Sequence, residues 1–120
     1  MSSFGSFVGI PGTAGYNASK HALRGFLNTL RAELLGTGVT VTVVFPGAIS
    51  TPRLRQTMGD NVDRIPTMTP ERCAELTIQA GAQRRRQLVM TLAGKILVLF
   101  YPWFPSLLDG QLTRIGKMYQ

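Results

Sequence analysis

"GYNASKHALRGF", residues 15–26, holds the pattern on which the fold turns. Tyr16 stands four positions before Lys20. On a helix, residues four apart share one face, separated by about 6 Å along the axis. A lysine so placed projects its charge near the phenol. An ammonium close to a phenol favours the phenolate, which makes a tyrosine a usable proton donor and acceptor. The same spacing arises by chance on many helices, where both side chains face solvent. The neighbouring residues decide between the two.

From about Thr13 to Leu35 the pattern is helical. Ala22, Leu23, Phe26, Leu27, Leu30 and Leu34 recur at three- and four-residue intervals. Thr13 is the expected cap and Gly36 the expected left-handed terminator. "VTVTVVFPG", residues 39–47, is β-branched and closed by Pro46-Gly47, which predicts a strand. Its near-continuous apolar character suits a buried parallel strand. Helix, glycine turn and strand make half of a β–α–β crossover.

Residues 47–68 are polar, with Pro52, Gly59 and Pro66, and read as a long loop of the kind that is functional or mobile. Arg53 and Arg55 in this loop are expected to be solvated, or to approach a cofactor phosphate or an acidic substrate. Thr69-Pro70-Glu71 supplies a cap, a proline at the first helical position and an acid in the first turn. That predicts a helix to about Ala80. "QLVMT", residues 87–91, predicts a short strand.

The tail from Leu92, "LAGKILVLFYPWFPSLL", is apolar and aromatic. A membrane span needs about 20 apolar residues; Lys95, Pro102 and Pro105 interrupt this one. The tail is expected to form a helix packed on the protein or on a partner chain. Peripheral membrane contact is a second option, since the aromatics with Lys95 and Lys117 suit a membrane interface.

The chain has 120 residues, enough for one domain, with 44% hydrophobic and 16% charged residues. Its net charge is +7. The basic residues are scattered except for Arg84, Arg85 and Arg86, a run that reads as a solvated edge leading into a strand. No aromatic interleaving and no zinc-finger or helix-turn-helix spacing accompanies them, so no nucleic-acid partner is expected. The single cysteine, Cys73, excludes an internal disulfide and reads as a small core residue in a reducing, cytoplasmic setting. One cysteine and one histidine are too few for a zinc site, and no metal is expected.

What lifts the tyrosine–lysine pair is the company it keeps. Ser3 lies thirteen residues before Tyr16 across a Gly-rich loop, Ser19 directly precedes Lys20, and the strand runs into "PGAIST". In this set the sequence resembles the classical short-chain dehydrogenase/reductase family. The likeness is carried by Ser2-Ser3, by "YNASK" from Tyr16 to Lys20, by "ALRGFLNTLRAEL" and by "VTVVFPGAIST". It is clear to about Thr51, looser over 69–91, and covers the catalytic half of that family. The resemblance implies an α/β fold, here an incomplete doubly wound, Rossmann-like parallel sheet. Within one partial domain, residues 1–68 would hold the serine loop, the helix, the strand and the Pro-Gly loop. Residues 69–120 would form the substrate side.

The resemblance also implies roles. Tyr16 is the expected general acid/base and Lys20 its electrostatic partner, which also bonds nicotinamide ribose hydroxyls. Ser3 is the expected substrate-orienting hydroxyl, with Ser2 the neighbouring alternative. Pro46, Gly47, Ile49 and Thr51 resemble the segment that closes over the nicotinamide, Ile49 through its backbone. The implied reaction is reversible hydride transfer between NAD or NADP and a small carbonyl or secondary alcohol, which the apolar tail suggests is hydrophobic. His21 points about 100° away from Lys20 around the helix and is expected to be a surface or packing residue.

The family holds its dinucleotide mainly with a first half that opens with a strand, a Gly-rich turn and a helix N-terminus. "GSFVGIPGTAG" is the serine loop and does not follow a strand as G-x-G-x-x-G. The expectation is therefore the C-terminal portion of a longer, homo-oligomeric reductase, inactive alone. The alternative is a non-enzymatic remnant that acts through dimerisation, by the long helix, or through peripheral membrane contact.

Overall fold

The computed structural model describes residues 1–117, and all statements of structure concern those residues. A short 3-10 turn, Phe4–Ser6, precedes α1 (Ala14–Glu33), β1 (Val43–Phe45) and β2 (Ala48–Ile49). Next come α2 (Pro52–Met58), a second 3-10 turn (Gly59–Arg64), β3 (Thr67–Met68) and α3 (Pro70–Ala82). β4 (Gln87–Val89), α4 (Leu92–Phe100) and α5 (Pro105–Gly116) complete the order.

The strands pair in parallel, as an α/β reading requires. β1 pairs with β4 in the register Val43–Gln87, Val44–Leu88 and Phe45–Val89. β2 pairs with β3 in the register Ala48–Thr67 and Ile49–Met68. All three residues of β1 are buried, which fits the unbroken apolar run "VVF". Val43, Phe45 and Val89 form the centre of the core, and Phe4, Phe7, Leu27, Val41 and Val98 pack around them. The Phe7 and Phe45 rings meet at 4.6 Å with a 57° tilt. Such a pair adds about 0.5–1.5 kcal/mol beyond its buried area.

α1 presents Leu23, Leu27 and Leu30 as a half-buried stripe, continued by Leu34 just past its end, while Ala22 and Phe26 face solvent. Arg31 fastens its far end. The guanidinium donates to the carbonyls of Val41 (Nε 3.3 Å, Nη2 3.1 Å) and Arg86 (Nη2 2.9 Å). One side chain thus ties the helix to both chains that lead into the central strand pair.

Several sequence-based expectations shift. Thr13 occupies the cap position of α1 but does not cap it; its hydroxyl donates instead to the Ile10 carbonyl at 2.8 Å. α1 ends at Glu33, and the left-handed Gly36 (φ 83°) lies in the turn beyond it. The strand expected from Val39 begins only at Val43, and the one expected over 87–91 stops at Val89. Most of 47–68 is regular structure rather than loop. The apolar tail forms two helices, in which Gly94 and Leu112 are buried but Leu92, Ile96, Leu99 and Leu107 are exposed, as is Trp103 in the turn between them.

Candidate active site

Ser3 sits where the chain leaves the side of β1. The Ser2 amide donates to the Val44 carbonyl at 2.8 Å, so the first residues run beside the central strand. Ser3 then caps the 3-10 turn, its Oγ accepting from the Gly5 amide at 3.3 Å. Ser6 Oγ donates to the Ser3 carbonyl at 2.6 Å and tightens the turn. Gly5 explains why the turn is glycine-rich. A Cβ there would fall 2.5 Å from Asn17 Oδ1 and 3.1 Å from Tyr16 Cε1. Only a residue without a side chain lets the serine turn lie flat against the tyrosine ring.

Tyr16 and Lys20 share one face of α1, as the spacing predicts. The Lys20 ammonium lies 5.6 Å from the centroid of the Tyr16 ring, within reach of its π-face. Tyr16 is 48% exposed and Lys20 is half-buried. Ser19 does not face them; its Oγ donates to the Tyr16 carbonyl at 2.7 Å. His21 is exposed, and its Nδ1 donates to the Asn17 carbonyl at 2.9 Å.

Two residues that the sequence did not single out hold this arrangement. Asn17 is buried beside Gly5, and its Nδ2 donates to the Ile10 carbonyl at 3.4 Å. Its Oδ1 is buried without a partner, as is Ser2 Oγ. Arg24 reaches back one turn further along α1. Its Nη1 donates to the Ser6 carbonyl at 3.0 Å, and its guanidinium stacks 3.9 Å above the Phe7 ring centroid. Burial pushes its pKa down from the ordinary arginine value. Arg24 therefore anchors the serine turn to the helix that carries Tyr16. Only its place one turn beyond Lys20 hints at this in the sequence.

The Pro-Gly loop forms the other wall. Pro46 is buried directly after β1. A Cβ on Gly47 would fall 2.6 Å from Thr91 Cγ2 and 3.8 Å from Phe4 Cε2. Gly94 in α4 is pressed against the same Phe4 ring. Phe4 follows Ser3, so the serine turn, the Pro-Gly loop and the start of α4 meet around one aromatic ring. Thr51 caps α2, accepting from the Leu54 amide at 3.2 Å. The Ser50 amide donates to the Met68 carbonyl at 2.9 Å. In a parallel ladder alternate residues bond a given neighbour. The Ile49 amide and carbonyl thus face away from β3. Arg53 and Arg55 are exposed on α2, and Arg55 makes only a surface pair with Asp63 at 3.6 Å.

A family model described as short chain dehydrogenase matches residues 1–61, which include the serine turn, Tyr16, Lys20 and the Pro-Gly loop. The chain belongs to the short-chain dehydrogenase family. Among its relatives is hydroxysteroid 11-beta-dehydrogenase 1-like protein A of Xenopus laevis, 36% identical over 89% of this chain. Another is dehydrogenase/reductase SDR family member 7 of Homo sapiens, 31% identical over 92%. A third is the dehydrogenase/reductase SDR family protein 7-like of Dictyostelium discoideum, 36% identical over 87%. The chain spans 38%, 35% and 35% of the lengths of these three dehydrogenases.

Proposed function

We propose that Tyr16, Lys20 and Ser3 form the proton-transfer site of an oxidoreductase that interconverts a carbonyl and a secondary alcohol with NAD or NADP. The observation that carries this reading is that the Tyr16 ring lies close both to the Lys20 ammonium and to the serine turn at Gly5. The residues suit a nicotinamide nucleotide. Lys20 offers three N–H donors on an accessible face, beside a phenol, which matches ribose hydroxyls. The Ile49 backbone groups, turned away from β3, are free to meet a carboxamide.

When bound, the nicotinamide supplies or takes the hydride. The chain's own residues manage the proton. In the reducing direction the Tyr16 hydroxyl donates to the substrate oxygen as the carbonyl becomes an alcohol. The Lys20 ammonium stabilises the phenolate left behind. In the oxidising direction the phenolate takes the alcohol proton. Ser3 Oγ donates to the same oxygen and fixes its position; its lone pair remains on the Gly5 amide, so capping and orienting are compatible. The test is steady-state kinetics of the polypeptide that carries these residues. Tyr16→Phe should lower kcat by about 10²–10⁴-fold while cofactor binding persists. Retained kcat would remove Tyr16 from the proton path.

An apolar substrate fits the groove between α4 and α5. It has a volume of about 450 Å³ and is lined by Ala93, Ile96, Leu97, Phe100, Phe104, Leu107 and Leu108. Ala93 adjoins Gly94, which touches the Phe4 ring next to Ser3.

Peripheral contact with a lipid surface is a second element of the reading. No described helix is long and apolar enough to cross a membrane. Leu92, Leu99 and Trp103 are nevertheless exposed to 74%, 64% and 77%. Lys95, Arg114 and Lys117 accompany them, with Asp109 the one acid of that segment. Apolar and aromatic side chains edged by cations suit an anionic bilayer surface. Trp103 is the one tryptophan of the sequence. Its emission should shift to the blue with anionic vesicles; unchanged emission would remove the membrane from the reading. Self-association through the exposed face of α1, where Phe26 is 63% exposed, would make the functional unit an oligomer.

A further inference from the structure

α3 ends in a hydrogen-bond pattern that normally calls for glycine. The Arg85 amide donates to the Ala80 carbonyl at 3.0 Å and the Arg84 amide to the Gly81 carbonyl at 2.9 Å. These two bonds close a Schellman motif, whose residue just past the cap adopts the left-handed conformation. That residue here is Arg84, with φ 52°. It is the one non-glycine residue with positive φ among the described residues. Glycine would occupy the position without strain. A strained arginine where glycine serves better points to a use for its side chain.

The surroundings say what that use is. Arg84 lines a groove of about 300 Å³ together with Arg31 and Arg86. Gly36 and Gly38, both left-handed, curl the facing loop into its opposite wall. No acid is among the lining residues, and neither ion pair of the described residues involves these arginines. Arg31 is held rigid by the Val41 and Arg86 carbonyls and by Asn28 Oδ1 at 2.9 Å. Desolvation, and after it the proximity of Arg86, pushes its pKa down from the ordinary value. Cations brought together without a counter-charge favour any anion that enters between them.

We infer that the groove between the α1–β1 loop and the α3–β4 turn is an anion site for a small phosphate-bearing ligand, gripped by Arg84 and Arg86 with the charge of Arg31 beside them. Arg84 and Arg86 can each meet phosphate oxygens in a bidentate pair, while Arg31, whose guanidinium is already bonded to the Val41 and Arg86 carbonyls and to Asn28, adds its charge. The site lies where β1 and β4 begin. The serine turn, Gly47 and Thr91 lie where those strands end, so the two sites occupy opposite ends of the sheet.

The test is thermal unfolding and calorimetric titration with inorganic pyrophosphate, using sodium chloride of equal ionic strength as control. Vesicles with and without phosphatidic acid form a second arm. Saturable stabilisation by pyrophosphate that chloride does not reproduce is expected. Stabilisation by the vesicles alone would place the same phosphate chemistry on a lipid headgroup. Arg84→Gly should raise the melting temperature without anion, because the strain is relieved, and weaken pyrophosphate binding by about tenfold or more. Arg86→Gln should weaken binding without raising the melting temperature. An equal response to chloride, or an Arg84→Gly variant that binds pyrophosphate as the parent does, would overturn the site.

Discussion

At the scale of single residues, the site depends on an absent side chain as much as on those present. Gly5→Ala would drive a methyl group into Asn17 Oδ1 and against the Tyr16 ring. Overpacking of this kind costs about 1–3 kcal/mol. Because it displaces the phenol, kcat should fall more than KM rises, which steady-state kinetics can read. Arg24→Ala removes the donor to the Ser6 carbonyl, which belongs to a fully buried residue. An unsatisfied buried acceptor costs about 1–3 kcal/mol. Urea unfolding should show the loss, and Arg24→Lys should recover only part of it, since a lysine cannot stack on Phe7 in the same way. The shared face of Tyr16 and Lys20 was legible because it is set by fixed helical spacing. Asn17 and Arg24 were not. Their partners, Ile10 and Ser6, lie seven and eighteen residues away and are met only once the serine turn has docked on α1.

At the scale of elements, capping separates what the sequence showed from what it hid. α3 was readable from Thr69-Pro70, and its Thr69 Oγ1 does accept from the Arg72 amide at 3.2 Å. α2 begins with the same device, Thr51-Pro52, with Thr51 Oγ1 accepting from Leu54. It escaped notice because "PRLRQTM" is polar and offers little helical periodicity. Thr91 repeats the cap, without the proline, at α4, accepting from the Gly94 amide at 3.1 Å. Replacing such a cap by alanine costs about 1 kcal/mol. Thr91→Ala should have a further effect, since Thr91 Cγ2 also packs over Gly47. Its loss should loosen the Pro-Gly loop, seen as faster amide exchange at Gly47 and Ala48 than Thr69→Ala produces. β1 was overextended for a physical reason. Val39 and Val41 have strand character, but Val39 is 58% exposed and no neighbouring strand pairs with either. β-propensity without a partner yields extended chain, not sheet.

At the scale of the whole molecule, parallel pairing and burial of "VVF" were legible from the run of apolar β-branched residues. The core around it is small: Val43, Phe45 and Val89, with Phe4 and Phe7 from the serine turn and Val98 from α4. The same packing that stabilises the fold therefore places the site. Phe45→Ala should cost about 3–5 kcal/mol, and the serine turn should lose order together with the central strands, since Phe7 rests on Phe45. The exposed faces of α4 and α5 were expected to pack on the protein or a partner. Their exposure follows from the sequence in hindsight, because an apolar tail broken by Pro102 and Pro105 folds as two short helices. Neither of these can turn all its apolar sides inward.

The central claim is that Tyr16 moves the proton and Lys20 makes that possible. The most direct measurement compares hydride transfer by the polypeptide carrying these residues with that of Tyr16→Phe and Lys20→Met, following nicotinamide absorbance with a panel of apolar ketones and secondary alcohols. Tyr16→Phe should lower kcat by about 10²–10⁴-fold with nucleotide binding intact, and Lys20→Met should weaken both. Turnover by Tyr16→Phe within a few-fold of the parent protein would contradict the claim.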